Sequence, residues 1–135
     1  MDVIRIGVVG LGYVGLPPAA LCAKKGYPVT GLEANSQVVE KLKAGNSHIK
    51  DETVERLLAE ATASGNFFPT SDPEQIGDGE IYLICVPTPV DENQDPDLQP
   101  LESAIQVIGP YLKKDDLVEV LKFLREKFPE ISFQT

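Results

Sequence analysis

The sequence is poor in basic residues and in long apolar runs, and each scarcity excludes a class of protein. Lysine and arginine total 12 against 21 aspartates and glutamates, which gives a formal net charge of −9. A nucleic-acid surface needs a basic footprint, so we expect no nucleic-acid partner. No apolar run approaches the length of a membrane span, and no signal peptide precedes the first apolar strand. We therefore expect no membrane association either.

Cysteine and histidine are too few to indicate a metal or redox centre. The only cysteines, Cys22 and Cys85, are far apart in sequence, which predicts two buried free thiols in a reducing cytoplasm. Nothing around His48, the only histidine, resembles a nucleophile–base pair, so we interpret it as a loop residue. The sequence thus predicts a cytoplasmic chain of one domain with no metal site.

Glycine, by contrast, is concentrated near the N-terminus in a pattern typical of a phosphate-binding turn. Residues 3–15 read V-I-R-I-G-V-V-G-L-G-Y-V-G, an apolar run that predicts a buried strand and ends in Gly10-x-Gly12-x-x-Gly15. Residues 16–25 are compatible with a helix, so the motif has the strand–turn–helix context of the dinucleotide-binding fingerprint. The alternative is an ordinary glycine-rich turn.

Each glycine of this motif has a predicted task. Gly10 allows the tight turn, Gly12 lets the backbone approach a diphosphate, and Gly15 lets the helix pack closely on the strand. The N-terminus of the helix then offers free N–H groups and a partial positive charge to the phosphates.

An acidic residue follows at the spacing that the fingerprint requires. Residues 27–33 predict a second short strand that ends on Glu33, eighteen residues after Gly15. A carboxylate at this place accepts hydrogen bonds from the adenosine ribose hydroxyls and repels a 2′-phosphate, which favours NAD over NADP. The alternative is a solvated glutamate at a strand end.

The rest of the chain alternates strands and helices, which indicates an α/β fold with a parallel sheet. Asn35 or Ser36 caps a second helix, and Asp51 or Thr53 caps a third that ends before Gly65. We predict further strands over 66–70 and 80–86, a helical turn at 71–74, and a helix over 98–112 that Gly109-Pro110 shortens. That last helix faces inward through Leu101, Ala104, Ile105 and Ile108.

The strand over 80–86 runs into a proline-rich turn, Pro87-Thr88-Pro89-Val90. Ligands of open α/β sheets bind outside the carboxyl ends of the strands, so we expect this turn beside the nicotinamide ribose. The alternative is a rigid connector. After residue 118 the pattern changes, because Leu117, Leu121, Leu124 and Phe128 have helical spacing. We therefore predict a Rossmann-like, doubly wound domain over 1–118, followed over 119–135 by a tail of helix and short strand.

Residues 3–118 resemble the N-terminal NAD-binding domain of the UDP-glucose/GDP-mannose dehydrogenase family. The resemblance is carried by G-L-G-Y-V-G-L-P at residues 10–17, by Glu33, by K-L-K-A-G at 41–45, and by I-C-V-P-T-P and P-D-L within 84–98. The V-P-T-P form is most similar to the branch that acts on UDP-N-acetylhexosamines, particularly UDP-N-acetyl-mannosamine.

The resemblance implies an enzyme that oxidises the C6 alcohol of a UDP-sugar twice, with two NAD, through a cysteine-bound intermediate. It implies three groups of cofactor-binding residues: the diphosphate turn, the ribose acid, and the turn that lines the nicotinamide half. In this sequence these are Gly10, Gly12, Tyr13, Val14 and Gly15; Glu33; and Val86, Pro87 and Thr88.

The family's nucleophilic cysteine and its partners match no position here, so we expect a truncated Rossmann domain that is inactive alone. A non-catalytic assembly or sensing module is the alternative, because an uncovered outer edge of the strand at 80–86, or the tail, favours a homo-oligomer. A fragment of a 3-hydroxyacid-type dehydrogenase is a weaker alternative, since those proteins typically have methionine where Tyr13 stands.

Overall fold

The fold is one parallel sheet of five short strands with helices on both faces. A computed structural model describes residues 3–87, 89–90 and 92–112, and the backbone of 117–120. The strand order is β3-β2-β1-β4-β5, so β1 is central and the chain winds outward from it in both directions. The strands are β1 (Ile6–Val9), β2 (Val29–Leu32), β3 (Phe67–Thr70), β4 (Ile81–Ile84) and β5 (Leu117–Val120).

Four α-helices and two short 3-10 turns connect the strands within the described residues. The helices are α1 (Leu16–Lys24), α2 (Ser36–Lys43), α3 (Glu52–Ser64) and α4 (Gln99–Ile108), and the 3-10 turns are Pro73–Ile76 and Gly109–Tyr111. This order confirms the predicted Rossmann-like, doubly wound sheet. Across the described part of the chain, none of the helices is long and apolar enough to cross a bilayer.

The side chains of the sheet divide into two cores because successive residues of a strand point to opposite faces. Val8 belongs to the core beneath α1 and α3, whereas Val9 belongs to the core beneath α4. The predicted small-residue face of α1 lies fully buried in the first core: Leu16, Ala19, Ala20 and Ala23. Small side chains on this face let the helix backbone approach the sheet closely, which fixes the position of the turn that precedes it.

Helix ends follow the capping chemistry of the sequence. Asn35 caps α2, with its side chain accepting from the amides of Gln37 and Val38. Asp51 caps α3 in the same way, so of the two cap candidates predicted at each helix, Asn35 and Asp51 are the caps. At the other end of α3, Gly65 has a φ of 75°, the left-handed conformation that ends a helix.

Helix α4 ends at Ile108, as the Gly109-Pro110 pair predicts. One residue of this helix that was predicted to face the core is exposed to solvent. Ala104 and Ile108 are buried, whereas Ile105 is 48% exposed. Ile105 is one residue, about 100° of helix rotation, from Ala104, so the narrow buried stripe of α4 excludes it.

Leu117–Val120 form a strand, so the helical spacing that begins at Leu117 misled, and the helix predicted for the tail from residue 119 is wrong for its first two residues. β5 pairs with β4 in parallel, from Ile81 opposite Leu117 to Ile84 opposite Val120. The predicted uncovered outer edge of β4 is therefore covered. Backbone groups at a sheet edge need partners, and the L-V-E-V sequence of β5 suits a strand. Residues 121–135, with the remaining predicted helix and strand, lie outside the described residues.

The opposite edge of the sheet, β3, carries a proline. The carbonyls of Asn66 and Thr70 accept from β2 and the residue after it, through Val29 and Glu33 at 2.7 and 2.9 Å. Strand alternation therefore turns the backbone nitrogen of Pro69 to the outer edge, where it offers no N–H to another strand. β3 is thus a poor template for edge-to-edge pairing.

Tyr82 joins β4 to the 3-10 turn Pro73–Ile76. Its ring is fully buried against Gly7 and Gly79, where an added Cβ would lie 2.7 and 2.8 Å from ring atoms. Its hydroxyl accepts from the Gly79 amide at 3.1 Å and donates to the Ile76 carbonyl at 3.2 Å. The Tyr82 side chain therefore fixes the 3-10 turn to the sheet through its buried ring and its hydroxyl.

We predict that Tyr82→Phe lowers the free energy of unfolding by about 1–3 kcal/mol, because it leaves a buried N–H and a buried carbonyl without that partner. Urea denaturation of the variant measures the change. Tyr27→Phe is the matched control, since Tyr27 is 42% exposed; it should change stability by less than about 0.5 kcal/mol. Equal stability of the Tyr82 variant and the control would contradict this role of the hydroxyl.

Candidate functional site

The turn after β1 is closed by Gly10 in a conformation that other residues rarely adopt. Its φ is +96°, and its amide donates to the Leu32 carbonyl at 2.8 Å. A Cβ on Gly10 would lie 2.7 Å from the carbonyl oxygen of Cys85. The chain can therefore turn sharply between the ends of β2 and β4 only with glycine at this position.

Gly15 brings the start of α1 against the same turn. A Cβ on Gly15 would lie 1.8 Å from the Gly10 carbonyl oxygen, an overlap that no side-chain adjustment relieves. Gly12 differs from both, because a Cβ there would meet nothing within 4 Å. Its missing side chain serves no packing contact in the described structure, and it leaves open space in front of the turn.

The free backbone donors lie within the glycine turn rather than in the assigned helix. The Leu16 amide donates to Gly12 at 3.0 Å, so helical hydrogen bonding already begins at Gly12. Pro17 and Pro18 have no N–H to offer, which corrects the expectation that the first residues of the helix supply the donors. The amides of Tyr13, Val14 and Gly15 donate to no group among the described residues.

Glu33 lies across from this turn and is fixed there by two backbone amides. Its Oε1 accepts from the Leu11 amide at 3.3 Å, and its Oε2 accepts from the Asn35 amide at 2.9 Å. The carboxylate thus bridges the residues that follow β1 and β2. Because the amides hold it in place, its remaining lone pairs have a defined direction from which to accept further hydrogen bonds.

A cleft of about 370 Å³ extends from Gly10 and Glu33 to helix α4. Its walls are largely apolar, and Glu33 is the one charged residue that lines it among the described residues. Val86 and Pro87 line it at the carboxyl end of β4. Further lining residues that the sequence reasoning missed are Ala34, Ser71, Pro73, Pro100, Ser103, Ala104 and Val107. Pro73 and Pro100 were visible as helix-start residues after two strands, a signal that could have placed them at this edge.

The remaining predicted site residues have different surroundings. Tyr13 is 80% exposed at the tip of the turn, and Val14 is half-buried and packs on the first core. Thr88 lies outside the described residues. The structure therefore brings Gly10, Glu33 and the end of β4 into one cleft, whereas Gly12, Tyr13, Val14 and Gly15 do not line it.

Neither cysteine has the properties of a nucleophile. Burial raises the pKa of the Cys85 thiol to about 12, and it raises the pKa of the half-buried Cys22 thiol as well. Both thiols are therefore protonated near neutral pH, and the thiolate is the reactive form. His48 does not line the cleft. Within the described ranges, no group of three or more His, Cys, Asp or Glu side chains could hold a metal ion.

Known proteins are similar to this chain in sequence. UDP-N-acetyl-D-mannosamine dehydrogenase of Pyrococcus horikoshii is 37% identical over 115 residues, covering 85% of this chain and 27% of the relative. NDP-N-acetyl-D-galactosaminuronic acid dehydrogenase of Ralstonia nicotianae is 38% identical over 118 residues, covering 87% and 27%. The chain thus spans less than a third of the length of these relatives.

Solved structures of proteins from the same group have a similar fold. The UDP-D-ManNAc dehydrogenase structure from Pyrococcus horikoshii superposes with a TM-score of 0.82 at 37% identity, covering 87% of this chain and 28% of that one. GDP-mannose dehydrogenase from Pseudomonas aeruginosa, solved as a ternary complex, gives 0.79 at 29% identity, covering 91% and 30%. A diketoreductase at 17% identity, with a TM-score of 0.57, shares the fold alone.

The sequence also matches the NAD binding domain of one family over residues 4–122, which includes the glycine turn, Glu33, the residues after β4 and strand β5. Together with the glycine-turn geometry, this match identifies the cofactor as NAD. The chain belongs to the UDP-glucose/GDP-mannose dehydrogenase family, as its NAD binding domain.

Proposed function

We propose that the glycine turn, Glu33 and the adjoining cleft bind NAD in a fixed order along the carboxyl edge of the sheet. The free amides of Tyr13, Val14 and Gly15 donate to the diphosphate, and Glu33 accepts from the adenosine ribose hydroxyls. The adenine enters the apolar cleft beyond Glu33. The observation that carries the proposal is the fixed position of the Glu33 carboxylate, on the Leu11 and Asn35 amides, beside the open space at Gly12.

The apolar cleft suits the base and the glycine turn suits the diphosphate for different physical reasons. A planar heterocycle gains from burial between apolar walls, which here include Pro73 and Pro100. A diphosphate instead needs donors that cost little to desolvate, and backbone amides without protein partners meet that need. No lysine or arginine lines the cleft among the described residues, so backbone dipoles supply the attraction for the anion.

The turn after β4 continues the proposed site toward the other half of the cofactor. Val86 and Pro87 lie at the carboxyl end of β4, next to Gly10, whose turn is closed against the Cys85 carbonyl. We place Val86, Pro87 and Thr88 beside the nicotinamide ribose, where prolines on both sides of Thr88 restrict its backbone. Bound NAD supplies hydride-accepting chemistry, and these residues would bind and orient its ribose.

Gly12 gives the sharpest test of the diphosphate position. We predict that Gly12→Val weakens NADH binding by at least about tenfold, because the added side chain fills space that the diphosphate needs, while its Cβ meets no protein atom within 4 Å. NADH fluorescence titration measures the dissociation constant, and urea denaturation measures stability.

Gly109→Ala is the control, since Gly109 also has open space around its Cβ position and lies outside the cleft. It should leave NADH binding unchanged, and both variants should remain folded. Saturable NADH binding by the Gly12 variant at wild-type affinity would place the diphosphate elsewhere.

Glu33 is expected to determine the choice between NAD and NADP. We predict that Glu33→Gln reduces the preference for NADH over NADPH by about tenfold or more, because it removes a charge-assisted hydrogen bond to the ribose and the repulsion of a 2′-phosphate. The ratio of the two dissociation constants, measured by the same titration, reports the effect. An unchanged ratio would mean that the carboxylate does not face the ribose.

For the whole protein, we infer oxidation of a UDP-sugar to the uronic acid with two NAD per turnover. UDP-N-acetyl-mannosamine is the substrate we favour. We further infer that this activity is cytoplasmic and serves polysaccharide biosynthesis. The support is the V-P-T-P turn together with relatives that carry that activity in their names. The test uses a protein as long as the relatives in which this chain is the NAD binding domain. Its reduction of NAD is measured with UDP-N-acetyl-mannosamine, UDP-glucose and GDP-mannose. Absence of reduction with the first sugar would contradict the choice.

We also propose self-association through the β5 edge of the sheet or through the tail at 119–135. Among the described strands, β3 and β5 lie at the two edges of the sheet, and Pro69 makes β3 the poorer edge for pairing, so we place the contact at β5. Light scattering after size exclusion would detect a dimer; a clean monomer at high concentration would reject the proposal.

A further inference from the structure

The wall of the cleft formed by α4 is apolar except at one position. Pro100, Ser103, Ala104 and Val107 line the cleft from this helix. Their spacing of three, one and three residues places them on one helical face, so a single hydroxyl is set among apolar groups. For a base that binds between this wall and Pro73, the Ser103 hydroxyl is the polar group that the α4 wall offers as a hydrogen-bond partner.

The hydrogen bonding of Ser103 leaves its proton free to be donated. Its Oγ accepts from the side-chain amide of Gln99 at 3.3 Å, one helical turn earlier. The Gln99 backbone is itself fixed, because its amide donates to the Asp97 carboxylate at 2.9 Å. A serine hydroxyl has one O–H donor besides its acceptor lone pairs. With the Gln99 amide directed at its oxygen, Ser103 can direct its O–H into the cleft.

The chemistry of adenine fits that donor. The adenine ring carries nitrogen atoms that accept hydrogen bonds at its edges, and the apolar faces of the base suit the proline and alanine side chains of the cleft. We infer that Ser103 donates a hydrogen bond to a ring nitrogen of the cofactor's adenine and thereby helps to select an adenine dinucleotide. This inference rests on the proposed NAD site and adds a residue that recognises the base.

The test compares variants of the 135-residue chain by calorimetric titration with ADP-ribose, which carries the adenosine, diphosphate and second ribose without the nicotinamide. Ser103→Ala should raise the dissociation constant about three- to tenfold, the range for one neutral hydrogen bond. Ser103→Thr keeps the hydroxyl and should stay within about twofold of wild type. Thr53→Ala, which removes an exposed helix hydroxyl that lies outside the cleft, is the control and should bind like wild type.

If Ser103 had a purely structural role, Ser103→Ala would change the thermal unfolding midpoint of the ligand-free protein, and Ser103→Thr would not restore the affinity for ADP-ribose. Ser103 is exposed, so we expect the midpoints of all three variants to match the wild type. Wild-type affinity in Ser103→Ala, or equal losses in the alanine and threonine variants, overturns the inference while NAD binding at the glycine turn stands. Absence of saturable ADP-ribose binding by the wild-type chain overturns the proposed function and this inference together.

Discussion

The site depends on the direct contact between the backbone of Gly15 and the carbonyl of Gly10. No side chain fits between them, since a Cβ at Gly15 would approach the Gly10 oxygen to 1.8 Å. This contact sets the first residues of α1 onto the end of β1, and it holds the intervening amides in a short loop at the carboxyl edge of the sheet. The alanine-rich face of α1 supports the contact from below, because bulkier residues would lift the helix from the strands.

The three glycines divide the work between folding and binding. Gly10 and Gly15 are required by the protein itself: one has a positive φ and contacts the Cys85 carbonyl, and the other contacts Gly10. Gly12 contacts no protein atom through its Cβ position, so its absence of a side chain has a purpose only if something else approaches. Glu33 shows a similar division, because the two amides that hold its carboxylate also fix where that carboxylate can accept from a ligand.

Local patterns predicted the parts of this structure that depend on local chemistry. The cap residues Asn35, Asp51 and Gly65 act through hydrogen bonds or backbone angles within a few residues of themselves, so sequence signals reduced each helix start to two candidates and located the end of α3. The glycine turn and Glu33 were predictable because the fingerprint fixes their spacing.

Non-local constraints account for what sequence reasoning missed. Leu117 has apolar partners at helical spacing further along the chain, but the unpaired edge of β4, thirty-six residues earlier, favours a strand instead. Ile105 was predicted to be a core residue because it is apolar and follows Ala104. It is exposed because the width of the buried stripe on α4 depends on how closely the helix lies on the sheet, which the local sequence does not determine. The cleft residues Ser71, Pro73 and Ser103 come from separate segments, and only the folded sheet brings them together.

The central claim is that the amides of the glycine turn bind a diphosphate. Backbone amide chemical shifts of the chain, followed by heteronuclear NMR during titration with ADP-ribose, test it most directly. The account predicts saturable shifts that are largest at Tyr13, Val14 and Gly15 and clear at Leu11 and Asn35, the amides that hold Glu33. Saturation with shifts confined to other parts of the chain, or no saturable shifts in the turn, would contradict it.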